Sequence, residues 1–119
     1  MMKLDHLNLP VSNLARSRAW WTETLGLKVE FEVEDRRSVA MNDGEGFAIF
    51  LTEQAGARGN GLALWFQVDD VDAAHAQWTA RGVKFAHEPR KNFWGYGPEL
   101  ADPDGYVVRL WDERTMKEK

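Results

Sequence analysis

Aromatic side chains are unusually numerous in this chain, and residues typical of nucleophilic or metal chemistry are few. Six Trp and six Phe stand beside three His, and the chain has no Cys. Without cysteine there is no thiolate nucleophile, no disulfide and no Cys-ligated zinc. A small-molecule pocket needs large apolar walls and a few polar groups, and this composition suits such a cavity.

The composition also excludes several classes of protein. The 119 residues carry 15 basic and 19 acidic side chains, and no window supplies the basic patch of a nucleic-acid binder. No stretch approaches the ~18 to 20 apolar residues that span a membrane. The N-terminus lacks the apolar segment of a signal peptide. We therefore expect a cytoplasmic protein that binds neither nucleic acid nor membrane.

Strand alternation predicts which side chains reach a cavity. Leu64 and Phe66 must take the side of the sheet that faces a helix, so Trp65 is left on the opposite side, in a pocket or at a subunit interface. Trp94 stands in a glycine-flanked loop, where a large exposed ring usually has a binding role. The predicted ligand-binding residues are His6, Asn8, Phe50, Trp65, Gln67, Phe93, Trp94, Tyr96, Arg109 and Trp111.

The few titratable candidates keep more than one interpretation. Arg109 is predicted either to form a salt bridge with Glu99 or Glu53, or to hold an anionic ligand bidentately. His6 is a leftover metal ligand, a pocket residue, or a core histidine with its hydrogen bonds satisfied. His75 and His87 are predicted to lie at the surface. No residue is predicted to be catalytic.

An internal repeat organises the elements that must position these residues. One constant offset along the chain pairs Val11 with Val68 and Trp21 with Trp78. Each copy is predicted to be a strand that runs into a helix and is followed by three further strands. The predicted fold is therefore α+β, with two βαβββ modules. The predicted divisions are module one at 1–53, a linker at 54–61, module two at 62–112 and a tail at 113–119.

Local signals place the helices and strands within each module. Short polar pairs, Ser12-Asn13 and Asp69-Asp70, are predicted to cap the helices by accepting from free backbone N–H groups. Trp21 and Trp78 are predicted to pack each helix onto its sheet. The tail is charged and is predicted to fray. The later strands are predicted at 27–34, 37–42 and 46–53 in module one, and at 83–88, 97–102 and 106–112 in module two.

Three segments in this order resemble the vicinal oxygen chelate superfamily, which includes glyoxalase I, bleomycin-resistance proteins and extradiol dioxygenases. They are the strand at 6–11, the Trp-Trp-Thr-Glu-Thr-Leu-Gly run at 20–26, and the tight turn Asp102-Pro103-Asp104-Gly105 before Tyr106. The resemblance covers nearly the whole chain. It implies two modules whose curved sheets surround a cavity, and a homodimer.

The metal-binding pattern of that superfamily is incomplete here. Metal-dependent members place one ligand in the first and one in the last strand of each module. The matching residues are His6, Phe50, Ala63 and Arg109, of which only the histidine can ligate a divalent ion. The chain is thus most similar to the metal-free, bleomycin-resistance-like members, and we expect no cofactor.

Three functions stay open at this point. The first is a metal-free binding protein of the antibiotic-resistance type, which sequesters a planar, aromatic or cationic molecule. The second is a glyoxalase-like lyase or a dioxygenase-type enzyme that uses the same cavity. The third is a module that serves mainly as an interaction partner. Fold alone does not choose among them.

Overall fold

The computed structural model describes residues 1–117 and divides the chain into two compact units. The first unit is Met1–Gly59 and the second begins at Asn60, so the boundary falls inside the segment 54–61. In the described residues, no helix is long and apolar enough to cross a membrane. The cytoplasmic location stays a prediction from the sequence.

Both units are built from the same order of elements. Unit one is one open sheet with one long helix, and unit two repeats this with a short final helix. The elements of unit one are β1 (His6–Val11), α1 (Leu14–Glu23), β2 (Lys28–Val33), a 3-10 turn (Glu34–Arg36), β3 (Ser38–Asn42) and β4 (Ala48–Glu53). Those of unit two are β5 (Ala63–Gln67), α2 (Val71–Ala80), β6 (His87–Asn92), β7 (Gly95–Ala101), β8 (Val107–Trp111) and α3 (Glu113–Lys117).

The two sheets share one topology. Their strand orders are β1-β4-β3-β2 and β5-β8-β7-β6, so the first strand of each unit pairs with the last. That pairing is parallel in both, with His6 opposite Ala48 and Ala63 opposite Val107, whereas the other pairs are antiparallel. The predicted α+β fold with two βαβββ modules is confirmed, and units one and two are hereafter called modules one and two.

Polar side chains begin the two long helices as predicted. Asn13 accepts a hydrogen bond from the Arg16 N–H at 3.0 Å, and Asp70 accepts one from the Ala73 N–H at 3.0 Å. Each bond satisfies one of the N–H groups that a first helical turn leaves without a backbone partner. The caps therefore start each helix directly after the first strand of its module.

A carboxylate at the end of the last strand of the same sheet also supports each helix. The Leu14 N–H donates to the Glu53 carboxylate at 3.0 Å in module one, and the Val71 N–H donates to Asp112 at 2.7 Å in module two. Asp112 is fully buried, and Glu53 is half-buried and also pairs with Arg37. This repeated contact ties the start of each helix to the end of β4 or β8.

The helix tryptophans differ in how deeply they pack. Trp21 is fully buried in module one, with the Trp20 ring edge-on to it at 5.4 Å between centroids. Trp78 is half-buried, with Phe85 stacked beside it at 6.1 Å and the Arg81 guanidinium 5.7 Å from its ring. Packing of the helix by Trp21 is confirmed, whereas Trp78 covers a more open edge of module two.

The sixth strand lies later than predicted. The sequence analysis expected a strand at 83–88, but β6 is His87–Asn92, and 83–86 are irregular. The segment His-Glu-Pro-Arg-Lys-Asn has no alternating apolar residues, so the usual strand signal is missing. Pairing with β7 forms this strand instead, across a turn at Phe93-Trp94.

The tail prediction is wrong for residues 113–117. They form helix α3 because Asp112 caps it, accepting from the Thr115 N–H at 2.8 Å and from the Thr115 hydroxyl at 2.6 Å. The rest of the predicted tail, 118–119, lies outside the described residues. Asp112 thus holds the beginnings of two helices at once.

Candidate functional site

One row of side chains crosses the sheet of module two. Trp65 lies opposite Arg109, Arg109 lies opposite Glu99, and Glu99 lies opposite His87 in the strand register. Residues that are directly opposite in adjacent strands point to the same face of a sheet. The four side chains therefore share one face, and the buried Val108 and Leu110 point to the other.

Glu99 joins the two basic members of this row. The Arg109 Nε–H donates to one carboxylate oxygen at 2.8 Å, and His87 Nε2 lies 2.8 Å from the other. Burial alone would raise the pKa of Glu99, but the hydrogen bonds from His87 and Arg109 outweigh it, and the pKa lies below its usual value. Glu99 is consequently an anion at neutral pH.

Both ring nitrogens of His87 lie within hydrogen-bonding distance of an acceptor. Nδ1 lies 2.7 Å from the backbone carbonyl of Glu88, and Nε2 faces the Glu99 carboxylate. The tautomer of the ring decides which of the two nitrogens donates. Its side chain is only 12% exposed, so the prediction that His87 lies at the surface is wrong.

Three aromatic rings surround the Arg109 guanidinium. Its carbon lies 4.7 Å from the centroid of Trp65, 5.3 Å from that of Phe93 and 5.7 Å from that of Trp94. The Trp65 and Trp94 rings meet edge to face at 6.0 Å. Cation–π contacts of this kind are worth about 0.5–2 kcal/mol each, depending on desolvation. We call Trp65, Phe93, Trp94 and Arg109 the aromatic–arginine cluster.

The hairpin between β6 and β7 carries two rings of this cluster. Phe93 and Trp94 form its turn, and the Asn92 side chain accepts from the Trp94 N–H at 3.0 Å. A Cβ at Gly97 would lie 2.9 Å from the Trp94 ring and 2.1 Å from the Leu110 carbonyl oxygen. Glycine at 97 therefore gives the indole room to lie close against the sheet.

Trp94 keeps one polar group without a partner. Its indole Nε1 is buried and has no hydrogen-bond acceptor within the part of the chain that the structure describes. A buried donor without a partner costs roughly 1–3 kcal/mol. Buried donors without a partner are found at binding sites, where a ligand or an ordered water can supply the acceptor.

The corresponding face of module one is aromatic but differs in chemistry. The Phe50 ring lies 4.4 Å from the His6 ring and 5.7 Å from Phe31, which is 47% exposed. Asn8 accepts a hydrogen bond from the Thr52 hydroxyl at 2.7 Å. His6 pairs with its neighbour Asp5 at 3.1 Å. The three predicted residues of module one thus lie together on one strand pair.

The other predicted site residues lie beside the cluster and make other contacts. Gln67 and Trp111 are opposite each other, one step further along the same face as Trp65. The Tyr96 hydroxyl donates to Asp72 of α2 at 2.7 Å, which raises the pKa of Tyr96 to about 12. Tyr96 therefore points to the helix side of the sheet, where it lines a groove of about 650 Å³ together with Phe93 of the cluster. A ligand role for each of these three stays a prediction.

The sequence analysis missed how the histidines of module two are used. His75 is half-buried, with its ring 4.7 Å from Phe85. The signal for His87 was the turn itself: a hairpin centred on Phe93-Trp94 places His87 close to Glu99 in register. The predicted strand at 83–88 hid that relation because it ended before the hairpin began.

The residues at the superfamily's metal positions do not fit a catalytic metal. Phe50 and Ala63 have no donor atom, and Arg109 is cationic and bound to Glu99. Within the described residues there is no group of three or more His, Asp or Glu side chains that converge on one point. A divalent ion needs several such ligands.

Comparison with protein families gives one match. The model of the Glyoxalase/Bleomycin resistance protein/Dioxygenase superfamily matches residues 3–110. A search of curated proteins finds no match.

Solved structures with the same fold include an antibiotic-binding protein, a resistance determinant and a possible glyoxalase. TnmS3, an antibiotic-binding protein from Streptomyces sp. CB03234, is 24% identical with a TM-score of 0.77, covering 94% of this chain and 96% of its own. The bleomycin resistance determinant encoded on transposon Tn5 is 21% identical with a TM-score of 0.73, covering 94% and 99%. A possible glyoxalase from Bacillus cereus is 18% identical with a TM-score of 0.73, covering 92% and 98%. At these identities the likeness shows the fold alone.

Proposed function

Because the chain belongs to the glyoxalase/bleomycin resistance protein/dioxygenase superfamily, we propose that it is a metal-free protein that binds a planar or aromatic small molecule. The observation that carries this proposal is the aromatic–arginine cluster on one face of module two. An antibiotic-binding protein and a bleomycin resistance determinant among the structural neighbours are consistent with such a role.

The exposure of the cluster supports a binding role. Trp65 is 44% exposed and Phe93 is 87% exposed, although both rings are large and apolar. Burying their exposed area under a ligand releases water at roughly 25 cal/mol per Å². A ring stacked on an indole adds about 0.5–1.5 kcal/mol beyond that area term. The cluster therefore offers apolar walls and a polar anchor within one small surface.

The metal-free part of the proposal depends on side-chain chemistry. Of the four superfamily positions only His6 has a donor atom for a metal, and that ring packs at a tilt against Phe50 and pairs with Asp5. Recognition by ring packing and hydrogen bonds needs no metal. The proposal is accordingly a protein that sequesters its ligand and leaves it unchanged.

Trp65→Ala is expected to weaken ligand binding roughly tenfold or more, since ~1.4 kcal/mol corresponds to one decade in Kd. The physical reason is the loss of the exposed indole wall beside Arg109. Quenching of intrinsic Trp fluorescence, followed with bleomycin and a panel of planar aromatic drugs, measures the affinities.

Phe31→Ala provides the matched control, because Phe31 is similarly exposed but lies on the sheet of module one. Its affinities are expected to stay within about twofold of the unmodified protein, less than half of one decade in Kd. Unchanged affinity of every confirmed ligand in Trp65→Ala would remove the cluster from the proposed site.

We also propose that two copies of the chain form a homodimer. Open sheets have edges that need covering, and the large ring of Phe31 is exposed on the sheet of module one. A specific interface of this kind buries roughly 1,000 Å² or more. Sedimentation velocity at micromolar concentration is expected to give twice the chain mass, and a monomer there would contradict the dimer.

A further inference from the structure

The proposed function does not specify the charge of the ligand. The contacts of Arg109 indicate which charge the site accepts. We propose that the protein selects a planar anion, an aromatic acid, whose carboxylate binds the two terminal amino groups of Arg109 while its ring packs on Trp65. This inference rests on the proposed function and names the ligand class of the same site.

The hydrogen bonding of Arg109 leaves the carboxylate-binding end of the guanidinium available. Glu99 takes the Nε–H, and the Nη1 and Nη2 groups have no hydrogen-bond partner among residues 1–117. Two parallel N–H donors in a rigid plane match the two oxygens of a carboxylate. The Arg109 side chain is 14% exposed, so part of it is open to a ligand at the surface.

The Glu99 carboxylate holds Arg109 in this orientation. It bonds Arg109 through one oxygen and His87 through the other, so it is fixed from two sides. Both bonds join charged or polar groups that are mostly shielded from water, which strengthens them. Arg109 is thus oriented before any ligand arrives, and less side-chain freedom is lost on binding.

Two guanidinium groups lie on this face. Arg109 and Arg90 share it, since Arg90 lies opposite Gly97 in the register. Glu99 is the carboxylate within the row, and it is already paired with Arg109. Glu113 is held by Gln67 at 3.3 Å, one step along the sheet. An anionic ligand therefore meets guanidinium groups on this face, and the carboxylates there already have partners.

The aromatic rings are already occupied by a cation of the protein's own. Trp65, Phe93 and Trp94 all lie within 6 Å of the Arg109 guanidinium carbon, at 4.7, 5.3 and 5.7 Å. A cationic ligand needs the same electron-rich ring faces and would be repelled by Arg109. An aromatic acid instead pairs with Arg109 and uses the part of Trp65 that remains exposed.

Two probes of the same shape and opposite charge test the inference. We expect 2-naphthoate to bind roughly tenfold or more tightly than 2-naphthylmethylammonium in fluorescence titrations of the full chain, because charge-assisted bidentate bonds are the stronger kind. Arg109→Gln is expected to abolish this difference. Arg109→Lys keeps the positive charge but lacks the two parallel N–H donors of the guanidinium, so it is expected to retain a smaller preference for the naphthoate. Circular dichroism melts check that each variant is folded.

The possible results separate the two proposals. Equal or tighter binding of the ammonium probe overturns the anion inference and leaves an aromatic binding site. A naphthoate preference that survives Arg109→Gln also overturns it. If neither probe binds at millimolar concentration while the protein is folded, both the inference and the proposed function fail.

Discussion

Trp21→Ala is expected to lower the free energy of unfolding by about 3–5 kcal/mol, the cost of removing a large aromatic side chain from a core. Trp21 is fully buried and contacts the Trp20 ring edge to face. The remaining cavity cannot collapse fully because α1 is held at its start by Asn13 and Glu53. Urea unfolding followed by circular dichroism measures the change.

Trp78→Ala is the matched control in module two. It occupies the equivalent helical position, but it is half-buried and packs beside Phe85 at an open edge. Its removal takes away less buried apolar area than removal of Trp21. We therefore expect the free energy of unfolding to fall by about 1–3 kcal/mol. Equal losses in the two variants would mean that burial of Trp21 does not decide the stability of module one.

Asp112→Ala is expected to lower the free energy of unfolding by about 3 kcal/mol, because one buried carboxylate accepts three hydrogen bonds and the substitution removes all three. Its donors are the Val71 N–H of α2 and both the N–H and the hydroxyl of Thr115 in α3. Each donor left buried without a partner adds its own desolvation cost. Urea unfolding at neutral pH gives the loss directly.

Acid titration provides a second test of the same carboxylate. Burial would raise the pKa of Asp112, but the bonds from Thr115 and Val71 outweigh it and lower the pKa. A folded-state pKa below the unfolded value gives stability that is present above about pH 4 and is lost as the pH falls through the folded-state pKa. Asp112→Asn is therefore expected to lose less stability on acidification than the unmodified protein.

Glu53→Ala is the control for both measurements. Glu53 makes the equivalent contact to the start of α1, and the bonds from Arg37 and Leu14 lower its pKa to about 2. It is nearer to the solvent than Asp112, so water replaces much of what the substitution removes. If Glu53→Ala lowers the free energy of unfolding as much as Asp112→Ala does, burial does not determine how strongly this contact stabilises the protein.

The nearly equal architecture of the two modules makes their difference in chemistry clear. Asn8 and Trp65 occupy the same step of the first strand, and Phe50 and Arg109 the same step of the last. One module therefore presents a phenylalanine where the other presents an arginine. The two modules thus have equivalent faces, and the proposed anion site depends on the position that is Arg109 in module two and Phe50 in module one.

Local patterns in the sequence determined the elements and their faces. Alternation placed Trp65 and Arg109 opposite the buried Leu110, because side chains in a strand point to alternate sides whatever the strand pairs with. Capping residues such as Asp70 marked the helix starts, because they act on the turn that directly follows them. These properties depend on residues that are close together in the chain, so a single sequence is enough to predict them.

Tertiary structure decided which charges and rings meet. Arg109 pairs with Glu99, not with Glu53, and His87 joins them from a strand that the sequence pattern placed too early. The register of β6 on β7 contains an irregularity between His87 and Arg90, and a one-residue shift would turn a side chain to the other face. Trp94 reaches the cluster because residue 97, on the opposite arm of the hairpin, is glycine. Such contacts join residues distant in sequence, so only the folded pairing of the strands determines them.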